Sequence, residues 1–178
     1  MTFYGLLTFC AVYALAVATP GPGIAAIVAR SLAHGFRGAP AFVAGFIVGD
    51  LAWFAVAATG LAAVAKTAAA VFVVIKWAGV AYLLFLAWKL WTAPAGRVAV
   101  VDEDDSQHGW RAFVASLMLT LGNPKAILFF LALLPTVVDL ASLNTVRVLE
   151  ISAAIAVILP AVLFSYVLLA ARARRLFT

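Results

Sequence analysis

Charged side chains are scarce in this sequence of 178 residues, and they make up 11% of it. A typical soluble domain is about a quarter charged. Hydrophobic residues make up 67%, and the mean hydropathy is +1.16. This composition excludes a water-soluble globule, and it also excludes disorder, which needs low hydrophobicity and high charge. The sequence therefore predicts an all-α integral membrane protein that forms one compact bundle.

Cysteine and histidine are nearly absent, which excludes several kinds of chemistry. Cys10 stands alone, so a disulfide framework, a CxxC redox pair and a thiolate zinc site are excluded. His34 and His108 lie in polar segments, so we expect neither an intramembrane metal site nor a cofactor. The net charge of +5 comes from basic residues scattered singly, without the stripe that a nucleic-acid partner needs. We find no nucleophile–base pair, so an enzyme is not expected.

Five apolar segments are long enough for a transmembrane helix, which needs about 20 residues. They cover residues 1–29, 40–65, 68–88, 112–138 and 151–171. A linker at 91–110 with an acidic run divides them into three helices and two. We therefore expect a single transmembrane domain, 1–178, with a first group in 1–90 and a second in 111–178.

Basic residues are unequally divided between the predicted connections. Eight lie in the odd-numbered connections and the tail, including Arg30 and Arg37, and three lie on the other side. The positive-inside rule predicts an N-terminus outside and a cytoplasmic C-terminus in the plasma (inner) membrane. Tryptophans lie mostly toward the span ends, and we interpret them as interfacial anchors: Trp53, Trp77, Trp88, Trp91 and Trp110.

Two charges lie near the middle of predicted spans, Asp50 in the second and Lys125 in the fourth. A charge at the bilayer centre costs roughly 2.5–3.5 kcal/mol on insertion scales, so such residues are usually functional. Their opposite signs indicate either a mutual pair or a water-filled cavity. The alternative is a structural ion pair that only holds two helices together.

Helix-breaking residues interrupt the first and fourth spans. The two segments are Thr19-Pro20-Gly21-Pro22-Gly23 and Leu121-Gly122-Asn123-Pro124-Lys125. In lipid such a break is tolerated only where the freed carbonyls face protein or water. Two interrupted helices indicate a transporter site near the membrane midplane, with the breaks close together. Half-helix N-termini favour a carboxylate and freed carbonyls favour an ammonium, so the expected ligand is a small zwitterion.

A GxxxG pair precedes the acidic residue of the second span. Gly45 and Gly49 are followed at once by Asp50, and this spacing predicts close helix packing.

Together these motifs resemble the LysE/RhtB family of amino-acid exporters. The resemblance covers essentially the whole chain and is carried by residues 19–22, 35–38, 45–50 and 123–126. It implies a secondary transporter of inverted repeats, with the two breaks as counterparts, that exports amino acids using the proton-motive force. It implies that Asp50 couples protons against Lys125, while the Pro20–Gly23 break and Asn123 cradle the substrate. The implied partners are an amino acid or related zwitterion, protons and the lipid bilayer.

The sequence departs from the family pattern at its C-terminal end. Members of the family have a sixth span, and this sequence stops after Arg172, Arg174 and Arg175, where the link to that span should begin. We therefore expect an incomplete second half, arising from truncation or completed by a partner chain, including a homo-oligomer. Two other functions stay open. One is a small-cation or metal exporter of the same superfamily, although this sequence has no soft metal ligands beside Asp50. The other is a fragment that transports nothing and only assembles with other helices.

Overall fold

The structure is a computed structural model that describes residues 3–59, 105–140 and 143–177. Within these ranges the regular structure is entirely helical, which confirms the predicted all-α class for that part of the chain. The predicted third span at 68–88, with Trp77 and Trp88, lies outside the described residues. So do Trp91 and most of the acidic linker.

Six helices make up the described part of the chain. In order they are α1 (Phe3–Ala18), α2 (Pro22–His34), α3 (Ala39–Ala58), α4 (Asp105–Leu121), α5 (Pro124–Val137) and α6 (Thr145–Phe177). Helix α5 is not uniform, because a π-helical turn at Phe129–Leu133 separates Pro124–Leu128 from Leu134–Val137.

Membrane-crossing length is reached in two ways. Helices α3 and α6 are each long and apolar enough to cross a bilayer alone. The pairs α1/α2 and α4/α5 reach that length only together, with bends of 57° and 51° at their breaks. The described residues thus hold up to four spans, as expected of a membrane protein; the third predicted span, 68–88, falls in the residues that are not described.

Several helices extend beyond their predicted spans. Helix α6 has 33 residues and continues through Pro160. At 1.5 Å per residue it is about 50 Å long, against about 30 Å for the hydrocarbon core. Hydropathy marks only the part of a helix that faces lipid, so its polar ends were predicted as loops. The same reason corrects Arg30, which lies inside α2 and not in a connection.

A four-residue turn joins α2 to α3. Gly35 and Gly38 have φ angles of 63° and 68°, which residues with a Cβ rarely adopt. The guanidinium of Arg30 closes the turn by donating to the Arg37 carbonyl at 3.4 Å, and it lies 5.6 Å from the ring centroid of Phe42. The short turn therefore places α3 beside α2.

Helix α3 packs closely against α4 through its two spaced glycines. A Cβ on Gly45 would lie 2.0 Å from Ser116 Oγ and 2.3 Å from the Phe113 carbonyl oxygen. A Cβ on Gly49 would lie 2.6 Å from Thr120 Cβ. Helix α6 packs against α1, α2 and α3. The bundle core between these helices is aromatic and aliphatic, with Phe9, Tyr13, Ile27, Phe130, Leu134 and Ile155 fully buried.

Gly45→Ala is expected to lower the free energy of unfolding by about 1–3 kcal/mol, because the added methyl group overpacks the α3–α4 contact. The measurement is thermal unfolding of the purified protein in detergent. Gly109→Ala in α4 is the matched control, because its Cβ would lie 3.9 Å from that of Ala41, an ordinary contact. Equal melting temperatures for the two variants would contradict the close packing.

Candidate functional site

The first helix break covers residues 19–21. Helix α1 ends at Ala18, and Gly21 caps α2 in an extended conformation with φ −171°. The Thr19 hydroxyl donates back to the Leu15 carbonyl at 2.7 Å, and the Thr19 amide donates to the same oxygen at 3.0 Å. Pro22 and Gly23 are already helical, so the unwound part begins one residue earlier and ends two residues earlier than the predicted Pro20–Gly23.

The second break lies at residues 122 and 123. Helix α4 ends at Leu121 and Pro124 is the first residue of α5. Asn123 caps α5, since its Oδ1 accepts the Lys125 amide at 3.0 Å. Asn123, which the sequence analysis assigned to the substrate site, thus stabilises the start of a helix with its side chain.

Two side chains from other helices bind the carbonyls that the prolines leave free. In an unbroken helix the amides at positions 22 and 124 would serve Ala18 and Thr120, and proline has no amide hydrogen. The Tyr166 hydroxyl of α6 donates to the Ala18 oxygen at 2.8 Å. The Trp53 indole of α3 donates to the Thr120 oxygen at 3.3 Å. Trp53 is therefore a partner of the second break, which corrects its interpretation as an interfacial anchor.

A lysine connects the two breaks directly. The Lys125 ammonium donates to the Thr19 carbonyl, so the start of α5 is bound to the end of α1. Its stem passes beside Gly21, where a Cβ would lie 3.4 Å from Lys125 Cδ. The two interrupted segments therefore meet in space.

Asp50 is buried, at 7% exposure, on the face of α3 that points toward the breaks. Its Oδ2 accepts the Tyr13 hydroxyl at 2.7 Å. Tyr13 is itself fully buried and lies among aromatic rings, with centroid distances of 5.6 Å to Phe9 and 5.3 Å to Phe129. Asp50 and Lys125 have different hydrogen-bond partners, Tyr13 and Thr19, and both side chains line one cavity.

The cavity is partly open and has a volume of about 70 Å³. Its polar wall combines both breaks with α1, α3 and α4: Tyr13, Gly21, Gly23, Asp50, Thr120, Asn123 and Lys125. Its apolar wall includes Phe46, Phe129, Phe130, Leu159 and Leu163. Of the remaining residues of the predicted site, Thr19 and Pro20 lie in the first break, and Pro22 and Pro124 are the first residues of α2 and α5. Gly45 and Gly49 lie in the α3–α4 contact.

The sequence analysis missed Tyr13, Thr120 and Tyr166. A tyrosine in mid-span was an available signal for Tyr13, because interfacial tyrosines lie at span ends and a buried hydroxyl needs a polar partner. Thr120 was identifiable as the residue four before Pro124. Tyr166 carries no such local signal. Among the described residues no group of three His, Cys, Asp or Glu side chains lies close enough to hold a metal ion.

A membrane bundle whose polar cavity lies between two broken helices has the architecture of a membrane transporter. The chain belongs to the LysE type translocator family, whose sequence profile matches residues 14–178. This assignment confirms the resemblance drawn from the motifs. It also confirms that the chain is not an enzyme, because the family consists of translocators.

Two curated relatives are the homoserine/homoserine lactone efflux proteins of Salmonella typhi and Salmonella typhimurium. Each is 33% identical to this chain over 135 residues, which cover 76% of the chain and 65% of the relative. The chain therefore spans just under two thirds of the length of these relatives. No solved structure matches the chain.

Tyr166→Phe is expected to lower the free energy of unfolding by about 1–2 kcal/mol, because the Ala18 carbonyl loses its donor in an apolar setting. Trp53→Phe should cost less hydrogen-bond energy, since the Thr120 carbonyl keeps the Asn123 amide at 3.1 Å. Thermal unfolding in detergent measures both changes. Tyr4→Phe, which removes a phenol hydroxyl from the exposed start of α1, is the control. A Tyr166→Phe protein as stable as this control would show that the Ala18 carbonyl needs no partner.

Proposed function

We propose that this chain acts in a secondary transporter that exports amino acids or related small zwitterions across the plasma membrane, coupled to protons. The observation that carries the proposal is the cavity between the two breaks, which holds one carboxylate, Asp50, and one ammonium, Lys125. Charges and freed carbonyls are costly in a bilayer, and binding of a transported polar solute explains why they are present.

The chemistry of the cavity fits a zwitterion. Helices α2 and α5 both begin at the cavity, and their N-terminal amides carry partial positive charge. Together with Lys125 they favour a carboxylate. The C-terminal carbonyls of α1 and the carboxylate of Asp50 favour an ammonium. An amino acid that lies between the two breaks satisfies both sets, while Phe46, Phe129 and Leu159 contact its side chain.

The relatives named for homoserine and homoserine lactone support the ammonium half of this assignment. Ring closure to the lactone consumes the carboxylate and the side-chain hydroxyl, and it leaves the primary ammonium. The group shared by the two named compounds is therefore the ammonium. We propose homoserine and similar small amino acids as the first substrates to test.

Proton coupling is assigned to Asp50. When Asp50 is ionised, the Tyr13 hydroxyl donates to it, as in the present geometry. When Asp50 is protonated, the same hydroxyl can rotate and accept the proton's hydrogen bond. Tyr13 can thus partner both charge states without moving a helix. A carboxylate that changes charge beside the substrate site is suited to exchange one proton for one step of export.

The helix contacts support an inverted repeat. The broken pairs α1/α2 and α4/α5 are the proposed counterparts, with bends of 57° and 51°. Helix α3, which follows the first pair, packs on α4, and α6, which follows the second pair, packs on α1 and α2. Each straight helix therefore contacts the broken helix of the other half. Alternating access is proposed to arise when one half rocks against the other around the cavity.

Asp50→Asn is expected to abolish export against a gradient, because the amide cannot carry a proton, while membrane insertion is retained. The test is efflux of labelled L-homoserine from cells or proteoliposomes with an imposed proton gradient. Glu150→Gln at the start of α6 is the control, since it removes an exposed carboxylate outside the cavity. Normal uphill export by Asp50→Asn would contradict the coupling assignment, and absence of any labelled amino-acid efflux by the unaltered protein would contradict the function.

The cation distribution supports an N-terminus outside and a cytoplasmic C-terminus. Single cysteines placed at Thr2 and Thr178, in a Cys10→Ser background, should react differently with a membrane-impermeant thiol reagent added to intact cells. Position 2 should label, and position 178 should label only after permeabilisation. Labelling of position 178 from outside would contradict this orientation.

A further inference from the structure

We propose that the Lys125 ammonium occupies the subsite of the substrate's ammonium group when the transporter is empty, and that the substrate displaces it from the Thr19 carbonyl. This inference rests on the proposed function for the identity of the substrate. The subsite itself follows from the contacts at the two breaks.

The Thr19 carbonyl is a freed helical acceptor that has taken a cation as partner. In an unbroken helix it would accept the Gly23 amide, but the chain leaves the helix at residues 19–21. The neighbouring acceptors at Leu15 and Ala18 are bound by neutral donors, the Thr19 amide and hydroxyl and the Tyr166 hydroxyl. The C-terminal end of α1 also carries partial negative charge. An ammonium is therefore the group that this acceptor favours.

The lysine reaches this carbonyl with a flexible stem from a fixed backbone. Its own amide is held by Asn123 at the cap of α5, so the main chain at Lys125 does not need to move. The stem passes Gly21, where the extended backbone does not require glycine, and where a Cβ would meet Lys125 Cδ at 3.4 Å. A side chain larger than a methyl group at position 21 would occupy that path. The ammonium can thus leave Thr19 by rotation of the stem alone.

Charge accounting indicates which ligand can make it leave. In the empty site the Tyr13 hydroxyl donates to Asp50 and the Lys125 ammonium donates to Thr19, so a displaced lysine gains from a new anionic partner. A zwitterion supplies that anion: its ammonium replaces Lys125 on the Thr19 carbonyl, and its carboxylate takes the released Lys125. An amine without a carboxylate, such as homoserine lactone, leaves the released lysine with Asp50 as its only anion among the cavity residues. The exchange therefore binds a zwitterion more tightly than an amine, although both reach the subsite.

The side of the cavity beside this carbonyl is accessible in the described part of the chain. Thr19 and Pro20 are exposed there, and the cavity is partly open.

The test compares the binding of two probes, L-homoserine and propylammonium, to the purified full chain by calorimetry. Lys125→Met vacates the subsite and removes the partner of the carboxylate. It should bind propylammonium about tenfold or more tightly than the unaltered protein, and L-homoserine about tenfold more weakly, as for one charge-assisted hydrogen bond gained or lost. Lys125→Gln, which keeps a neutral donor at this position, should fall between the two for both probes.

Arg147→Met is the control, because it removes one positive charge from a residue that does not line the cavity. It should change neither affinity. Equal propylammonium binding by Lys125→Met and the unaltered protein, or the same gain in Arg147→Met, would overturn the displacement. If L-homoserine is exported but Lys125→Met does not bind propylammonium more tightly and L-homoserine more weakly, the displacement alone is wrong. If propylammonium shows the predicted gain and no amino acid is exported, the subsite stands and the transport assignment fails.

Discussion

Pro22 and Pro124 each leave a main-chain carbonyl without its helical donor, and a bilayer offers no water in its place. The rest of the bundle is arranged around this deficit. Tyr166 supplies the donor for the Ala18 carbonyl from α6, and Trp53 supplies the donor for the Thr120 carbonyl from α3. Each break is therefore completed by a helix from elsewhere in the chain. The contacts that hold the bundle together are in part the same contacts that make its broken helices tolerable.

The close packing of α3 on α4 serves the same end. Gly45 and Gly49 let α3 approach until a Cβ would overlap Ser116 or Thr120, and this approach brings Trp53 within 3.3 Å of the Thr120 carbonyl. It also places Asp50 at the cavity beside the second break. Small residues thus determine where a charge and a donor lie, although they touch no ligand themselves. Packing and site geometry are one problem in this part of the molecule.

The sequence predicted the parts of the site that cost free energy locally. Asp50 and Lys125 are charges in apolar spans, and Pro20, Pro22 and Pro124 are missing donors in predicted helices, so each is visible without knowledge of its neighbours. Their partners were not predictable in the same way. Tyr166 is 148 residues from Ala18 along the chain, and no periodicity connects them. Trp53 was grouped with the other tryptophans as an interfacial anchor although it lies mid-way along the predicted span 40–65, and hydropathy cannot show that its indole turns inward. The helix ends were also missed, because polar residues continue a helix past the lipid. The hydrogen-bond partners of Asp50 and Lys125 were not predictable either.

Three carbonyls near the end of α1, those of Leu15, Ala18 and Thr19, differ in how firmly their partners are held, and this difference connects the fold to the proposed displacement. Leu15 is bound by the amide and hydroxyl of Thr19, which belong to the same turn. Ala18 is bound by Tyr166, whose neighbour Val167 is fully buried in the core, so α6 fixes this donor in place. Thr19 is bound by the end of a long lysine side chain, which has more rotatable bonds and no packing of comparable rigidity. In the proposed displacement the first two bonds stay in place, and the third is exchanged for a similar one. The bundle would then contain one hydrogen bond that a ligand replaces, and an ammonium is the group that replaces it most closely.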